Sequence, residues 1–573
     1  MTNAEIANIL DQIADLLEFQ DANPFRVRAY RNAARSVRDY SEPLSRIAAD
    51  PDRTLTDIAG IGKDLAEKIT TLLQTGSLPM LQELLAEVPE SVLAIMRVPG
   101  LGPKRAAAIY RELGVKSLEE LAEACRQQRI RELKGFGAKT EESILQGLDI
   151  AMEAGKRLLW AQADQIAQAL RAHLASCVSI RQMEFAGSYR RGKDTVGDLD
   201  LLVIAGEVGE TMDCLGAYEG VRQVLLRGPT KMSVRLAEGL QVDLRVVPAE
   251  SFGAALQYFT GSKEHNVVLR SMARSRGLKV NEYGVFRDEE LIAGRTEEEV
   301  YATLELPCFP PELREARQEF DWAAAGRLPE LIELGDIRGD LHAHSDWSDG
   351  IATIEEMADA AKARGLKYLA ITDHSKRATI ANGLDAARLR RQWAEIDQLN
   401  PRLKGFTVLK GVEVDILERG GLDFDDKLLA EADWVVASVH FGQNQSRDQI
   451  TRRLIDAVKN PYVSAIAHPT GRLLGERKSY EIDLDAVLKA AHDHGTMMEL
   501  NAHPKRLDLD DVACAAAKNY GVPIVVSTDS HTIDGLAAMR YGVVQARRGG
   551  LTKADVANTR TLAQLQKLLR KKR

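Results

Sequence analysis

Cysteine is scarce: the five residues, at positions 125, 177, 214, 308 and 514, are odd in number, scattered and without a Cys-x-x-Cys pair. That pattern excludes a disulfide framework and a cysteine zinc site. Long hydrophobic runs are missing as well. The most apolar stretches, such as GVPIVVS near Val522, fall far short of the roughly 20 residues a membrane helix needs, so no spanning segment is expected. The opening MTNAEIANIL has neither the basic n-region nor the apolar stretch of a secretory leader, which points to the cytoplasm. Positive charge is not in excess either: 76 Lys and Arg against 84 Asp and Glu leave a formal net charge of -8. Over the whole chain that balance opposes a nucleic-acid partner, because phosphate binding is driven by cations that release counterions. Locally the picture reverses. Arg26, Arg28, Arg31, Arg35 and Arg38 crowd one stretch, and Lys104, Arg105, Arg126, Arg129, Arg131, Lys134 and Lys139 another, the kind of patch that meets phosphates.

A chain of 573 residues is too long for one core. Up to about residue 155 it reads as short amphipathic helices broken by glycine turns. One turn recurs, in IAGIGKDLAEKI, VPGLGPKRAAAIY and LKGFGAKTEESIL, as an internal repeat spaced roughly forty residues apart. From about 175 the pattern changes to strand alternation, as in VGDLDLLVIA and LQVDLRVVP, with helical stretches between. A proline-bearing run from LELPCFPPELREAR to GRLPELIELGDIRGD lacks alternation and reads as a connection over roughly 305–338. Beyond it short apolar strands (LKYLAITDH, FTVLKGVEVDI, WVVASVH, VSAIAHP, TMMELNAH, VPIVVSTDSH) alternate with helices. Repeated strand-then-helix units predict a parallel, barrel-like α/β domain.

The turns at Gly60/Gly62, Gly100/Gly102 and Gly135/Gly137, followed by Lys63, Lys104 and Lys139, put unobstructed backbone N–H groups at helix N-termini, where a phosphate oxygen can bind without reference to base sequence. They resemble helix-hairpin-helix elements. One such turn would say little; three followed by a lysine point to DNA backbone. In GSYRRGKDTVGDLDLLV, Asp198 and Asp200 lie two apart in a strand, so both carboxylates project from one face. Asp243, in LQVDLRVV, belongs to what should be a neighbouring strand. Three converging carboxylates form a hard-oxygen site for two Mg²⁺ (or Mn²⁺) ions, suited to two-metal phosphoryl transfer.

GSYRRG followed by GDLD, then VDLR, then YFTGS with NEY downstream, resembles the DNA polymerase beta superfamily, family X, over nearly everything up to about residue 310. The resemblance implies that Asp198, Asp200 and Asp243 are catalytic and that Gly187, Ser188, Arg191 and Gly197 hold triphosphate oxygens. It implies further that Tyr258, Phe259 and Gly261 pack against the sugar and screen out ribose, while Asn266 and Arg270 face the minor-groove side of the nascent pair. Lys263, in the same nucleotide-binding set, stands where the vertebrate polymerase beta pattern has an acid, and Gln241 where it has Arg. NPFRVRAYRNAARSV with the first hairpin resembles the family's small lyase domain, with Lys68 at the Schiff-base position. A lysine nucleophile needs its pKa lowered by neighbouring cations, and here Asp64 replaces a lysine of that cluster; a phosphate contact is the plainer role for Lys68.

Of 11 histidines, only His173 and His265 precede residue 340. The rest concentrate where strands should end: His342, His344 and Asp349 in DLHAHSDWSDG, His374 in ITDHS, Glu413 in GVEVDI, His440, His468, and Asp529 with His531 in STDSH. Nine such ligands at barrel strand ends can enclose about three divalent ions, Zn²⁺ and/or Mn²⁺. His492 and His494 read as surface helix residues. The HxH with its downstream SDG, the TDHS and the STDSH elements resemble the polymerase and histidinol phosphatase (PHP) domain over about 338–573. The filled ligand set implies metal-assisted phosphoester hydrolysis, a 3′–5′ exonuclease with 3′-phosphatase or abasic-site endonuclease action as further options, and Arg506 as a phosphate contact.

The expected architecture is multidomain: a small helical lyase-like domain with the first hairpin at 1–80, helix-hairpin-helix fingers at 81–155, an α/β nucleotidyltransferase palm at 156–250, a thumb at 251–310, a linker at 311–337, and a distorted (β/α)7 PHP barrel at 338–573. The expected function is filling of short gaps in base-excision repair, on gapped or primed DNA with dNTPs, by a monomer. The alternatives are a template-independent nucleotidyltransferase, against which the hairpins and YFTGS argue, and a polymerase whose PHP domain is an idle scaffold.

Overall fold

A computed structural model describes residues 3–39, 44–50, 53–58, 60–88, 90–96, 98, 101–154 and 157–570. The first third is helical. Asn3–Phe19 and Pro24–Asp39 pack together through Ile6, Leu10, Ile13 and Leu17 against Tyr30, Ala34 and Val37, the three-and-four spacing of an amphipathic face. One hydrophobic core runs from Ile6 to Leu148, so the segments read as 1–80 and 81–155 share a single interior. The hairpin helices Lys63–Thr75 and Pro103–Leu113 each start on a glycine, Gly62 or Gly102, and end on a left-handed one, Gly76 or Gly114, with Pro103 in the first turn.

The second unit is a five-stranded sheet in the order Ile180–Phe185, Asp198–Ala205, Gln241–Val246, Lys231–Leu236, Val221–Arg227. Only Asp198–Ala205 and Gln241–Val246 run parallel, and their register sets Asp200 opposite Asp243. Helices Phe252–Thr260 and Lys263–Ser275, a three-stranded antiparallel sheet and helix Glu297–Ala302 follow. Where the sequence reading places a linker at 311–337, the chain instead packs first on this unit and then, from Ile332 to Ile337, into the core of the barrel. Phe320, Ala323 and Leu328 pack on the core of Tyr301 and Phe309. The fully buried Arg314 bonds Glu297, which also takes Arg190 at 2.7 Å. Proline content signals interrupted strands and helices; it carries no information about burial.

In the last unit seven parallel strands, Gly339–Ala343, Tyr368–Ile371, Thr407–Asp415, Trp434–Ser438, Ala465–Ile466, Met497–Asn501 and Ile524–Ser527, pair in chain order. A parallel bridge from Ala343 to Ser530 brings the last strand beside the first, so the barrel is nearly closed. Its interior is filled by Leu341, Tyr368, Leu409, Trp434, Met497 and Val525, with Leu565 of helix Leu562–Arg570 packed on them. That filling leaves the opposite end, where the strands terminate, for polar residues. No helix among the described residues is long and apolar enough to cross a membrane.

Candidate functional site

The first site grows from the parallel strand pair. Asp198 and Asp200 share a face because they are two apart, and Asp243 joins them from the next strand. Lys231 Nζ lies 2.8 Å from Asp243 Oδ2, and Gln241 Nε2 donates to Asp243 Oδ1 at 3.0 Å. These bonds hold the Asp243 carboxyl below its ordinary value despite its burial. Asp200 moves the other way, pushed up to about 6 by burial and then by the charges of Asp198 and Asp243. Carboxylates crowded until one resists ionisation make a donor set that hard divalent cations fit, because the cation removes the repulsion. The Gly-Ser turn lies directly on this set. Gly187 has φ +63°, and a Cβ there would come within 2.6 Å of Asp200 Oδ2, so only glycine serves.

Beside the carboxylates opens a cleft of about 520 Å³. It brings together Gly187, Ser188, Arg191, Asp198, Asp200, Tyr258, Phe259, Gly261, Lys263, Asn266 and Arg270, and adds Arg157 and Lys193, which sequence reasoning missed. Gly197 is not in its lining; a Cβ there would meet Arg157 Nη1 at 2.9 Å, so Gly197 gives way to that guanidinium. Arg191 Nη1 donates to Thr260 O at 2.5 Å and its Nε to Glu315 at 3.2 Å. The Asn266 side chain is engaged internally: its Nδ2 donates to Tyr258 O at 2.8 Å and its Oδ1 accepts from Gln257 at 2.7 Å. It therefore fixes the backbone of the aromatic pair. Phe259 stacks under Arg245, 4.4 Å from ring centre to guanidinium carbon, and meets Tyr258 edge-on.

At the helical end, a Cβ on Gly62, Gly102, Gly135 or Gly137 would meet nothing within 4 Å, leaving the helix N-termini open to a phosphate. Gly60 and Gly135, at φ +83° and +86°, require glycine for conformation. Gly100 lies outside the described residues. Lys63 begins its helix and Lys104 is exposed, 4.0 Å from Asp21. Lys68 is ion-paired with Asp64, and Arg31 with Asp15 and, at 3.4 Å, Glu18. Arg31 thus belongs to the helix pair and not to an open basic patch.

The second site crowns the barrel. His344, Asp349, His374 and His531 form one group able to hold a metal ion, His342, His344 and Asp529 a second, His374, Glu413 and His440 a third. His468 Nε2 joins them, 3.0 Å from Glu413 Oε1. Four buried atoms here, His342 Nε2, His344 Nδ1, His374 Nδ1 and Glu413 Oε2, make no hydrogen bond. His374 Nδ1 and Glu413 Oε2 face each other at 2.9 Å, but buried polar atoms are almost always hydrogen-bonded, so nitrogen and oxygen donors crowded together without such bonds fit divalent metal ligation. The electrostatics differ across the cluster. Burial and the neighbouring His531 and His374 push His344 down to about 3. Glu413 and Asp415 raise His440 to about 10 against its burial.

Behind the ligands stand acids that sequence reasoning missed. Glu499 Oε1 lies 2.6 Å from His342 Nδ1, and its Oε2 accepts from the His468 backbone N–H at 2.6 Å. Asp415 Oδ1 is 3.0 Å from His440 Nδ1. Such carboxylates fix which ring nitrogen is left to a metal. A signal for Asp415 existed, two residues from Glu413 on the same strand face. Arg506 Nε is 3.5 Å from Asp529 Oδ2, close enough to serve a phosphate held there. His503 is half-buried and desolvation pushes it down to about 3, whereas His492 and His494 are exposed on helix Leu484–His494.

Comparison with known proteins follows the same division. Family models match as a helix-hairpin-helix domain at 1–78, a SAM-like helix-hairpin-helix tandem at 92–149, the DNA polymerase beta palm at 158–231, the DNA polymerase beta thumb at 255–315 and the PHP domain at 340–503. The chain is 42% identical to the DNA polymerase/3′-5′ exonuclease PolX of Bacillus subtilis over 575 aligned residues, 100% of both chains. It is 26% identical to rat DNA polymerase lambda over 343 residues, 55% of this chain and 56% of that one. A probable phosphatase of Thermoanaerobacter is 30% identical over 231 residues, 38% of this chain and 89% of its own length.

Proposed function

We propose, from the premise that this chain belongs to the family X DNA polymerases in the form that carries a PHP domain, that it fills short gaps in base-excision repair and trims 3′ ends with its barrel. The observation that carries this is the in-register pair Asp200 and Asp243, with Asp198 beside them, at one end of a cleft lined by Ser188, Arg191 and Lys193. Bound by those three carboxylates, Mg²⁺ or Mn²⁺ supplies Lewis-acid stabilisation of the transferring phosphoryl group.

The remaining work falls to the chain. Arg191, Lys193 and Ser188 neutralise and hydrogen-bond the triphosphate of an incoming dNTP. Tyr258 and Phe259, held by Asn266 and Arg245, present an inflexible wall to the sugar. The open turns at Gly62, Gly102 and Gly137 grip DNA backbone without reading bases, which suits an enzyme that meets gaps in any sequence. In the barrel His342, His344, Asp349, His374, Glu413, His440, His468, Asp529 and His531 would hold about three ions, Zn²⁺ and/or Mn²⁺, which would supply Lewis-acid polarisation of a phosphoester; Arg506 binds its phosphate and Glu499 and Asp415 orient the imidazoles. We place the protein in the cytoplasm, acting as a monomer on gapped or primed DNA.

The test is single-nucleotide gap filling by the purified chain, with each dNTP supplied separately, alongside degradation of a 5′-labelled primer in Mn²⁺. Addition of the template-complementary nucleotide alone, with stepwise 3′–5′ shortening, is expected. Equal addition of all four would favour the template-independent transferase.

A further inference from the structure

The Gly187–Arg190 turn and the residues after it do not stand on the palm alone. Gly192, at φ +67°, lies so close to the barrel helix Met539–Arg548 that a Cβ would come within 2.2 Å of Val544 Cγ1. On the same helix Arg548, its side chain 1% exposed, donates through Nη1 to Arg191 O at 2.6 Å and to Glu315 Oε1 at 3.0 Å, and through Nη2 to Asp511 Oδ2 at 2.6 Å. Glu315 Oε1 in turn takes Arg191 Nε at 3.2 Å and Lys193 Nζ at 3.5 Å. Around this node Trp160 Nε1 donates to Tyr189 O at 2.8 Å, Trp160 meets Tyr541 edge-on, and Arg540 pairs with Asp164.

We propose that Arg548 of the barrel domain is a positioning residue for nucleotide binding in the palm, fixing Arg191 through its carbonyl and through the shared carboxylate of Glu315. Arg191 Nε is held by Glu315 and Nη1 by Thr260 O, while Nη2 makes no hydrogen bond to a described residue and is left for a ligand. One buried guanidinium that grips the main chain of a cleft arginine and the acid beside its side chain locks both ends of that residue. Glu315 stays ionised in this place: burial alone would raise its carboxyl, but Arg548, Arg191 and Lys193 hold it below its ordinary value. The two domains therefore keep separate reacting groups yet share a foundation. The PHP barrel has a task in synthesis whether or not it cleaves anything.

This inference rests on the proposed nucleotide cleft, and the experiment separates the two. Single-nucleotide gap filling is measured at saturating DNA for Arg548→Ala, Arg548→Lys, Arg191→Ala and the double alanine variant, with 3′–5′ degradation in Mn²⁺ followed in parallel. Arg548→Ala should raise KM for the dNTP about tenfold, the order expected on losing a buried charged hydrogen bond, with a smaller fall in kcat and unchanged degradation. Arg548→Lys should recover part of the loss, and the double variant should be no worse than Arg191→Ala, because Arg548 acts through Arg191. An unchanged KM in Arg548→Ala, losses that add to those of Arg191→Ala, or synthesis and degradation falling together would overturn the proposal. If Arg191→Ala itself leaves KM unchanged, the cleft reading falls with it.

Discussion

His342 and Glu499 face each other beneath the histidine cluster, 2.6 Å from Nδ1 to Oε1, neither side chain more than 1% exposed. The same carboxylate accepts the backbone N–H of His468 and the Nδ2 of Asn501 at 3.2 Å. One acid thus orders two candidate ligands, His342 on its strand and His468 just past the end of another. Glu499→Gln keeps the shape and removes the charge. Metal affinity should fall about 10- to 100-fold, as for other carboxylates behind a ligating histidine, read as the Mn²⁺ concentration that half-saturates both binding and exonuclease activity. An unchanged half-saturation point would remove Glu499 from the account.

Glu297 ties the palm to the segment after the thumb, between Arg190 and Arg314. Burial opposes its charge, but the two guanidinium groups bring the carboxyl from 4.5 down to about 2. A depressed carboxyl contributes stability that is complete above its unfolded value of about 4.5 and is lost as pH falls through about 2. The contribution is on the order of 3 kcal/mol. Glu297→Gln should lower the unfolding temperature of this unit at pH 7, and the gap from the parent should close as pH falls from about 4.5 towards 2. A gap independent of pH would show that the charge is not what matters.

Tyr258 lines the cleft with its carbonyl accepting from Asn266 Nδ2. If this aromatic segment is the wall against a 2′-hydroxyl, Tyr258→Ala should raise the rNTP-to-dNTP ratio of kcat/KM by at least about tenfold, roughly one lost steric or hydrogen-bond discrimination. An unaltered ratio would assign the gate to another group.

Much of this was legible in residue spacing. Acids two apart on a strand must share a face, so Asp198 and Asp200 could be paired from sequence, and histidines at the ends of apolar runs mark the crown of a barrel. The acids behind them were harder to see. Glu499 sits in MMELN, where one carboxylate among apolar neighbours says nothing about which imidazole it meets 157 positions away. Long-range partners hid Arg548 and Lys193 in the same way, because each looks like an ordinary surface cation until a remote element covers it. Asn266 shows the reverse: its place in the cleft was readable, but its side chain is spent on Gln257 and Tyr258. The segment 311–337 looked like a connection because its turns are irregular, while its burial depends on contacts with Tyr301 and Phe309 on one side and with the barrel core on the other that no local pattern encodes.

The central claim is that two separate sets of reacting groups serve two reactions, and paired variants test it most directly. Primer extension and 3′–5′ degradation in Mn²⁺ are measured side by side for Asp200→Ala and His344→Ala, with circular dichroism confirming that both remain folded. Asp200→Ala should abolish nucleotide addition and leave degradation intact; His344→Ala should lower degradation by several orders of magnitude and leave addition intact. Loss of both activities in Asp200→Ala with neither lost in His344→Ala would contradict the account, since a single centre would then perform both reactions.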